Sequence, residues 1–120
     1  MKKILYVEDN KDTAEAVKLI LDSAGYESKI APNGKEGLQL IKKEVFDLIL
    51  LDIMLPDMSG WDIFAALSKQ QIKSKFAFLS AIPVSQERIE ELKKAGVSDY
   101  ITKPFTKSEL IERINKILES

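Results

Sequence analysis

The sequence predicts a single α/β domain spanning residues 1–120: an open, doubly wound parallel sheet of five strands in the order 2-1-3-4-5, with five helices. Three observations predict it. Five short apolar segments recur along the chain. Each is followed by a stretch of helical periodicity. The third segment, Leu48-Ile49-Leu50-Leu51, is apolar on both sides of the pleat, as a central strand covered on both faces must be.

The elements follow in order. Ile4–Val7 is the first strand, and Asp12-Thr13-Ala14-Glu15 reads as a capping box for the first helix. That helix turns Val17, Ile20, Leu21 and Ala24 inward and stops at Gly25. Tyr26–Ala31 is the second strand, and Asn33-Gly34-Lys35-Glu36 opens a helix with Leu38, Ile41 and Val45 inward. After the third strand, Ser59-Gly60-Trp61-Asp62 opens a helix with Ile63, Phe64 and Leu67 inward. Phe76–Leu79 is the fourth strand, with Ser85 as cap, Ile89 and Leu92 inward and Gly96 as stop. Tyr100-Ile101 marks the fifth strand, and Thr106-Lys107-Ser108-Glu109 opens a last helix carrying Leu110, Ile111, Ile114, Ile117 and Leu118. Trp61, Met54, Met58, Phe64 and Phe105 read as packing or loop contacts.

Composition removes whole classes of function. The chain has no Cys and no His, which excludes disulfide frameworks, thiolate and imidazole metal sites, Ser-His-Asp triads and cysteine nucleophiles. Eighteen Lys+Arg against 19 Asp+Glu give a net charge of −1, so there is no basic footprint for nucleic acid and no polybasic membrane patch. The apolar runs are too short to span a bilayer, and the run after Lys2-Lys3 ends in Glu8-Asp9, unlike a signal peptide. A cytoplasmic protein is expected.

In a parallel sheet the carboxyl ends of the strands share one edge, and ligands bind beyond it where the winding reverses between the first and third strands. Strand one ends in Glu8-Asp9, strand three in Asp52, strand four in Ser80 and strand five in Lys103-Pro104. Three carboxylates in one crevice repel one another, so one takes a proton or a hard cation compensates. Magnesium prefers oxygen ligands, and it suits phosphate chemistry. Lys103 and Ser80 offer a compact cation and a hydroxyl donor to phosphate oxygens, and a carboxylate beside magnesium can attack phosphorus. Taken singly, Asp9, Asn10 or Asp12 also suits a turn or a helix cap, and Ser80 and Lys103 also suit a structural and a solvated role.

The residues resemble the receiver domain of two-component response regulators, over residues 3 to 119. The motifs that carry the resemblance are Val7-Glu8-Asp9-Asn10, Leu51-Asp52-Ile53-Met54-Leu55-Pro56-Asp57-Met58-Ser59-Gly60, Leu79-Ser80-Ala81 and Asp99-Tyr100-Ile101-Thr102-Lys103-Pro104-Phe105. The resemblance implies a flavodoxin-like fold with Asp52 as phosphoacceptor. It implies Mg2+, with Mn2+ as an alternative ion, bound by Asp9 and Asp52, by Glu8 mainly through water, and by the Met54 backbone carbonyl. It implies that Ser80 and Lys103 receive phosphoryl oxygens, and that a cis Lys103–Pro104 bond aims the lysine. Tyr100 would be the aromatic switch that follows Ser80 inward. Pro56 and Gly60 would shape the loop after Asp52.

The implied partners are a sensor histidine kinase or a histidine phosphotransfer protein, and an unknown downstream effector. The implied state is a monomer, or a weak phosphorylation-dependent dimer through the fourth helix, fifth strand and fifth helix, where Asp99 and Arg113 lie. Such a domain is no enzyme in the ordinary sense: it assists its own phosphorylation and slow dephosphorylation. Two other readings remain open at the level of sequence. A phosphohydrolase with an aspartyl phosphate would carry Asp-x-Asp after its first strand, and a nucleotide-binding module would carry a Gly- or Thr-rich loop there. Asp52-Ile53-Met54 and Glu8-Asp9-Asn10-Lys11-Asp12 match neither. A receiver that works without phosphorylation is a third, and the complete set of site residues counts against it.

Overall fold

The computed structural model describes residues 1–119. The element order is β1 (Lys3–Val7), α1 (Lys11–Ser23), β2 (Glu27–Ala31), α2 (Gly34–Lys43), β3 (Leu48–Leu51), α3 (Gly60–Ser68), β4 (Lys75–Ser80), α4 (Gln86–Lys94), β5 (Val97–Thr102) and α5 (Lys107–Glu119). All strand pairs are parallel, and the sheet order is β2-β1-β3-β4-β5, as the sequence predicts.

Strand alternation divides the core in two. Ile4, Tyr6, Leu48, Leu50, Ala77, Leu79 and Ile101 face α1 and α5, where Val17, Leu21, Leu110, Ile114 and Ile117 cover them. Leu5, Val7, Ile49, Leu51, Phe76 and Phe78 face the other way, against Ile63, Phe64 and Leu67 of α3 and Leu92 of α4, with Leu38 and Ile41 of α2 at the margin. All four residues of β3 are fully buried, which explains why that segment carries no polar side chain.

Three local expectations are corrected. The α1 cap is Asn10, not Asp12: Asn10 Oδ1 accepts from Thr13 N at 2.9 Å, and Asp12 falls in the first turn, where its charge suits the positive end of the helix. Val45 is not an inward helix residue. Helix α2 ends at Lys43, Glu44 is extended and pairs with Lys3 (2.6 Å), and Phe46 takes the buried place while Val45 is 82% exposed. Strand β5 starts at Val97, three residues before the predicted segment. Ser98 is squeezed out of the register between Phe76↔Val97 and Ala77↔Asp99. Strict alternation would send Val97 and Tyr100 to opposite faces; this bulge puts both on the α3/α4 side.

Candidate phosphoryl and metal site

The site begins where the ladder runs one residue past the strands. Glu8 N donates to Ala31 O at 3.0 Å and Asp52 N to Val7 O at 3.1 Å, so Glu8 and Asp52 leave the sheet side by side. Carboxylate oxygens of Glu8, Asp9 and Asp52 all lie within 4.8 Å of one another. Glu8 and Asp52 are buried and Asp9 is exposed. The arrangement fits a hard divalent cation: three anionic oxygens converge, two from a desolvated wall and one from solvent.

From the far side Lys103 reaches in. Its backbone N–H donates to Ser80 O at 2.8 Å, and its peptide bond to Pro104 is cis. Its ammonium lies 2.5 Å from Glu8 Oε1 and 3.6 Å from Asp52 Oδ2. The lysine therefore rests on Glu8 rather than on Asp52. Burial pushes the Asp52 carboxyl up to about 6, the hydrogen bond shared with Glu8 adds to this, and the Lys103 charge opposes it. Burial works on Glu8 in the same direction, but hydrogen bonds with Lys103, Asp52 and Tyr6 outweigh it and hold Glu8 below the usual carboxylate range.

Ser80 and Tyr100 stand on the other face. Ser80 Oγ accepts from Ile82 N at 3.1 Å, and the Tyr100 hydroxyl donates to the Ile82 carbonyl. Both side chains are buried, so Tyr100 occupies the inward position that the resemblance assigns to the switched state. Behind it Trp61 stacks at 6.4 Å between centroids and meets Phe78 at 4.3 Å, with the Arg88 guanidinium 5.3 Å above the indole.

The loop after Asp52 is held at two points. Ser59 caps α3, Gly60 N donates to Ile53 O at 2.9 Å, and Met54 bridges Ser59. A Cβ on Gly60 would stand 2.2 Å from the Asp52 carbonyl oxygen, so no other residue fits there. Further along, past the exposed Pro56, Asp57 caps α2 from outside, accepting from Gly34 N and Lys35 N at 2.9 Å each. These bonds hold the Asp57 carboxyl below the usual range. A folded-state value below the unfolded one adds stability above the unfolded pKa and loses it as pH falls through the folded one. Asp57→Ala is therefore expected to lower Tm at pH 7 and to leave Tm unchanged near pH 2, as measured by circular dichroism melts at both pH values.

Every residue the sequence places at the site except Tyr100 lies at the carboxyl edge or in the loops that leave it, and Tyr100 lies inside β5, paired with Phe78. Met54 is 70% exposed, and its thioether is no ligand for a hard cation, so its backbone carbonyl is the group it offers to a metal. Asp99 and Arg113 pair with each other within the chain at 2.6 and 2.7 Å, and Arg113 also donates to Tyr100 O at 3.1 Å. Two participants escape sequence reasoning. Asp57 looks like a loop acid, and its partners on α2 are 22 and 23 residues away. Tyr6, whose hydroxyl donates to Glu8 Oε1 at 2.9 Å, reads as one more apolar strand residue. The one available signal is its spacing two residues before Glu8, which puts both on one face of the pleat.

Fold and site together define a class: a doubly wound α/β domain whose carboxyl edge carries an acidic site suited to a cation and a phosphoryl group. The family model described as the response regulator receiver domain matches residues 4–115, and the chain belongs to that family. Its similarity to the transcriptional regulatory protein CusR of Escherichia coli K12 is 39% identity over 116 residues, covering 97% of this chain and 51% of that protein. The chain thus spans about half the length of the curated relatives it matches. The receiver domain of the Francisella response regulator 1452 superposes with a TM-score of 0.90 at 36% identity, covering 99% of this chain and 98% of that one. TrrA of Thermotoga maritima, solved in complex with Mg(2+)-BeF, superposes with a TM-score of 0.84 at 32% identity, covering 98% and 100%. Among the described residues no helix is long and apolar enough to cross a membrane.

Proposed function

We propose that the chain accepts a phosphoryl group on Asp52 from a phosphohistidine of a sensor kinase or a histidine phosphotransfer protein. The observation that carries this reading is the setting of Asp52: it ends a fully buried strand, with two more carboxylates within 4.8 Å and the Lys103 ammonium at 3.6 Å. A carboxylate oxygen of Asp52 forms the new P–O bond, the P–N bond of the donor breaks, and its electron pair stays on the imidazole nitrogen. Magnesium, or manganese in its place, would be held by Asp9, Asp52, the Met54 carbonyl and, mainly through water, Glu8, and supplies charge stabilisation at the phosphoryl oxygens. Lys103 and Ser80 donate to those oxygens. Ser80 Oγ accepts from Ile82 N and has its own O–H free to donate, so its shift toward the phosphoryl group draws along the segment that the Tyr100 hydroxyl also holds and fixes Tyr100 in its inward position. The switch then reaches α4, β5 and α5, the surface offered to an effector or, weakly, to a second copy. Pro56, Gly60 and Pro104 are structural at the site. The setting for this relay is the cytoplasm.

Incubation with acetyl phosphate and Mg2+ is expected to add one hydroxylamine-sensitive phosphoryl group per chain, seen by intact mass, with none added in EDTA. Met54 and Ile82 flank the approach to Asp52 and carry no group that orients water. Loss of the label after donor removal is expected to take many minutes or longer. A Mg2+-independent label overturns the site, and a half-life of seconds overturns the slow hydrolysis.

A further inference from the structure

Tyr6 is fully buried beside the site and takes no part in the transfer just described. We propose that Tyr6 is a positioning residue: its phenol keeps Glu8 Oε1 hydrogen-bonded so that Lys103 can leave Glu8 for the phosphoryl group. The proposal rests on the Asp52 reading.

The geometry is specific. Glu8 Oε1 accepts from two donors, the Tyr6 hydroxyl at 2.9 Å and Lys103 Nζ at 2.5 Å. The other oxygen, Oε2, faces the Asn10 backbone N–H at 3.3 Å. Glu8 is only 2% exposed, so bulk water has little access to replace a lost donor. Serving a group on Asp52 draws Lys103 off this parked position, because its ammonium lies 2.5 Å from Glu8 and 3.6 Å from Asp52. A buried carboxylate oxygen left without any donor loses its solvation outright. With Tyr6 in place one donor stays, and its bond strengthens as the competing cation leaves. The Tyr6 hydroxyl donates to Glu8 Oε1 and is an ordinary phenol donor at neutral pH.

A phenylalanine would pack in the same space, because the ring already belongs to the core against α1 and α5. It would leave Oε1 with Lys103 alone. The parked state keeps its ion pair, whereas the phosphorylated state leaves Oε1 without either of its protein donors. Tyr6→Phe therefore weakens the engaged state more than the resting one.

Beryllofluoride binding with Mg2+, followed by backbone amide shifts, tests this, with thermal melts to confirm cooperative folding. Tyr6→Phe is expected to weaken beryllofluoride binding by about tenfold and to change binding of Mg2+ alone by less than about threefold. Glu8→Asp draws the carboxylate back from Tyr6, so in that background Tyr6→Phe is expected to change beryllofluoride affinity by less than about twofold. Unchanged affinity in Tyr6→Phe overturns the proposal, and so does an equal loss for Mg2+ alone, which places Tyr6 on the metal. An equal loss in the native and the Glu8→Asp backgrounds assigns the effect to packing and overturns it as well. Failure of the native chain to bind beryllofluoride overturns the Asp52 reading and this proposal with it; native binding with an unshifted variant overturns this proposal alone.

Discussion

Asp52→Asn is expected to drop labelling by acetyl phosphate to background, a loss of at least about a hundredfold. The amide keeps the shape of the side chain but has no anionic oxygen to attack phosphorus, and no other carboxylate can replace it. Glu8 is held by Lys103 and Tyr6, and Asp9 sits at the exposed rim of the carboxylate cluster. The same substitution is expected to raise stability. The Asp52 value in the folded chain, about 6, lies above its ordinary 3.8, so the folded state binds the extra proton between those values. Stability from this group is therefore full below pH 4 and is lost as pH rises through 6. At pH 7.5 without divalent cation the ionised Asp52 is a burden of about 1–2 kcal/mol, after allowance for screening. Urea unfolding of Asp52→Asn should show that gain in EDTA and lose it in Mg2+. Full labelling of the variant, or an unchanged unfolding midpoint in EDTA, contradicts the account.

Gly60→Ala is expected to destabilise the domain by about 3 kcal/mol, or on the order of 10 °C in Tm. The contact is backbone to backbone: the new methyl meets the Asp52 carbonyl oxygen at 2.2 Å and the Ile53 Cα at 3.2 Å, and neither can rotate away. Relief requires breaking the Gly60 N–H to Ile53 O bond, which anchors the loop after Asp52. The variant should therefore also label more slowly than the native chain at a temperature where both are folded. A melt within about 2 °C of the native one contradicts the close approach.

The alternation of strand and helix and the polar groups that follow the strands were legible from periodicity, and the order 2-1-3-4-5 is a common winding for five such units. Leu48–Leu51 announces a covered strand, and parallel winding then brings Glu8, Asp9, Asp52, Ser80 and Lys103 to one edge. What stayed hidden depends on pairing across the chain. Asn10 and Asp12 are equally good caps in isolation, and only the placement of Thr13 N decides between them. Val45 fits the helical period, but Glu44 is drawn off by Lys3 and Lys29 from neighbouring strands. The extra residue at Ser98 leaves no mark on composition, yet it decides which face Tyr100 takes. Likewise, nothing in the motif around Lys103 says that its resting partner is Glu8.

Trp61 is the one tryptophan in the chain, and both Tyr100 and Arg88 lie close to its ring. A rearrangement that carries Tyr100 or α4 away from it alters the polarity and quenching around a single indole. The switch region is thereby optically addressable without any label, and its kinetics can be followed in the native chain.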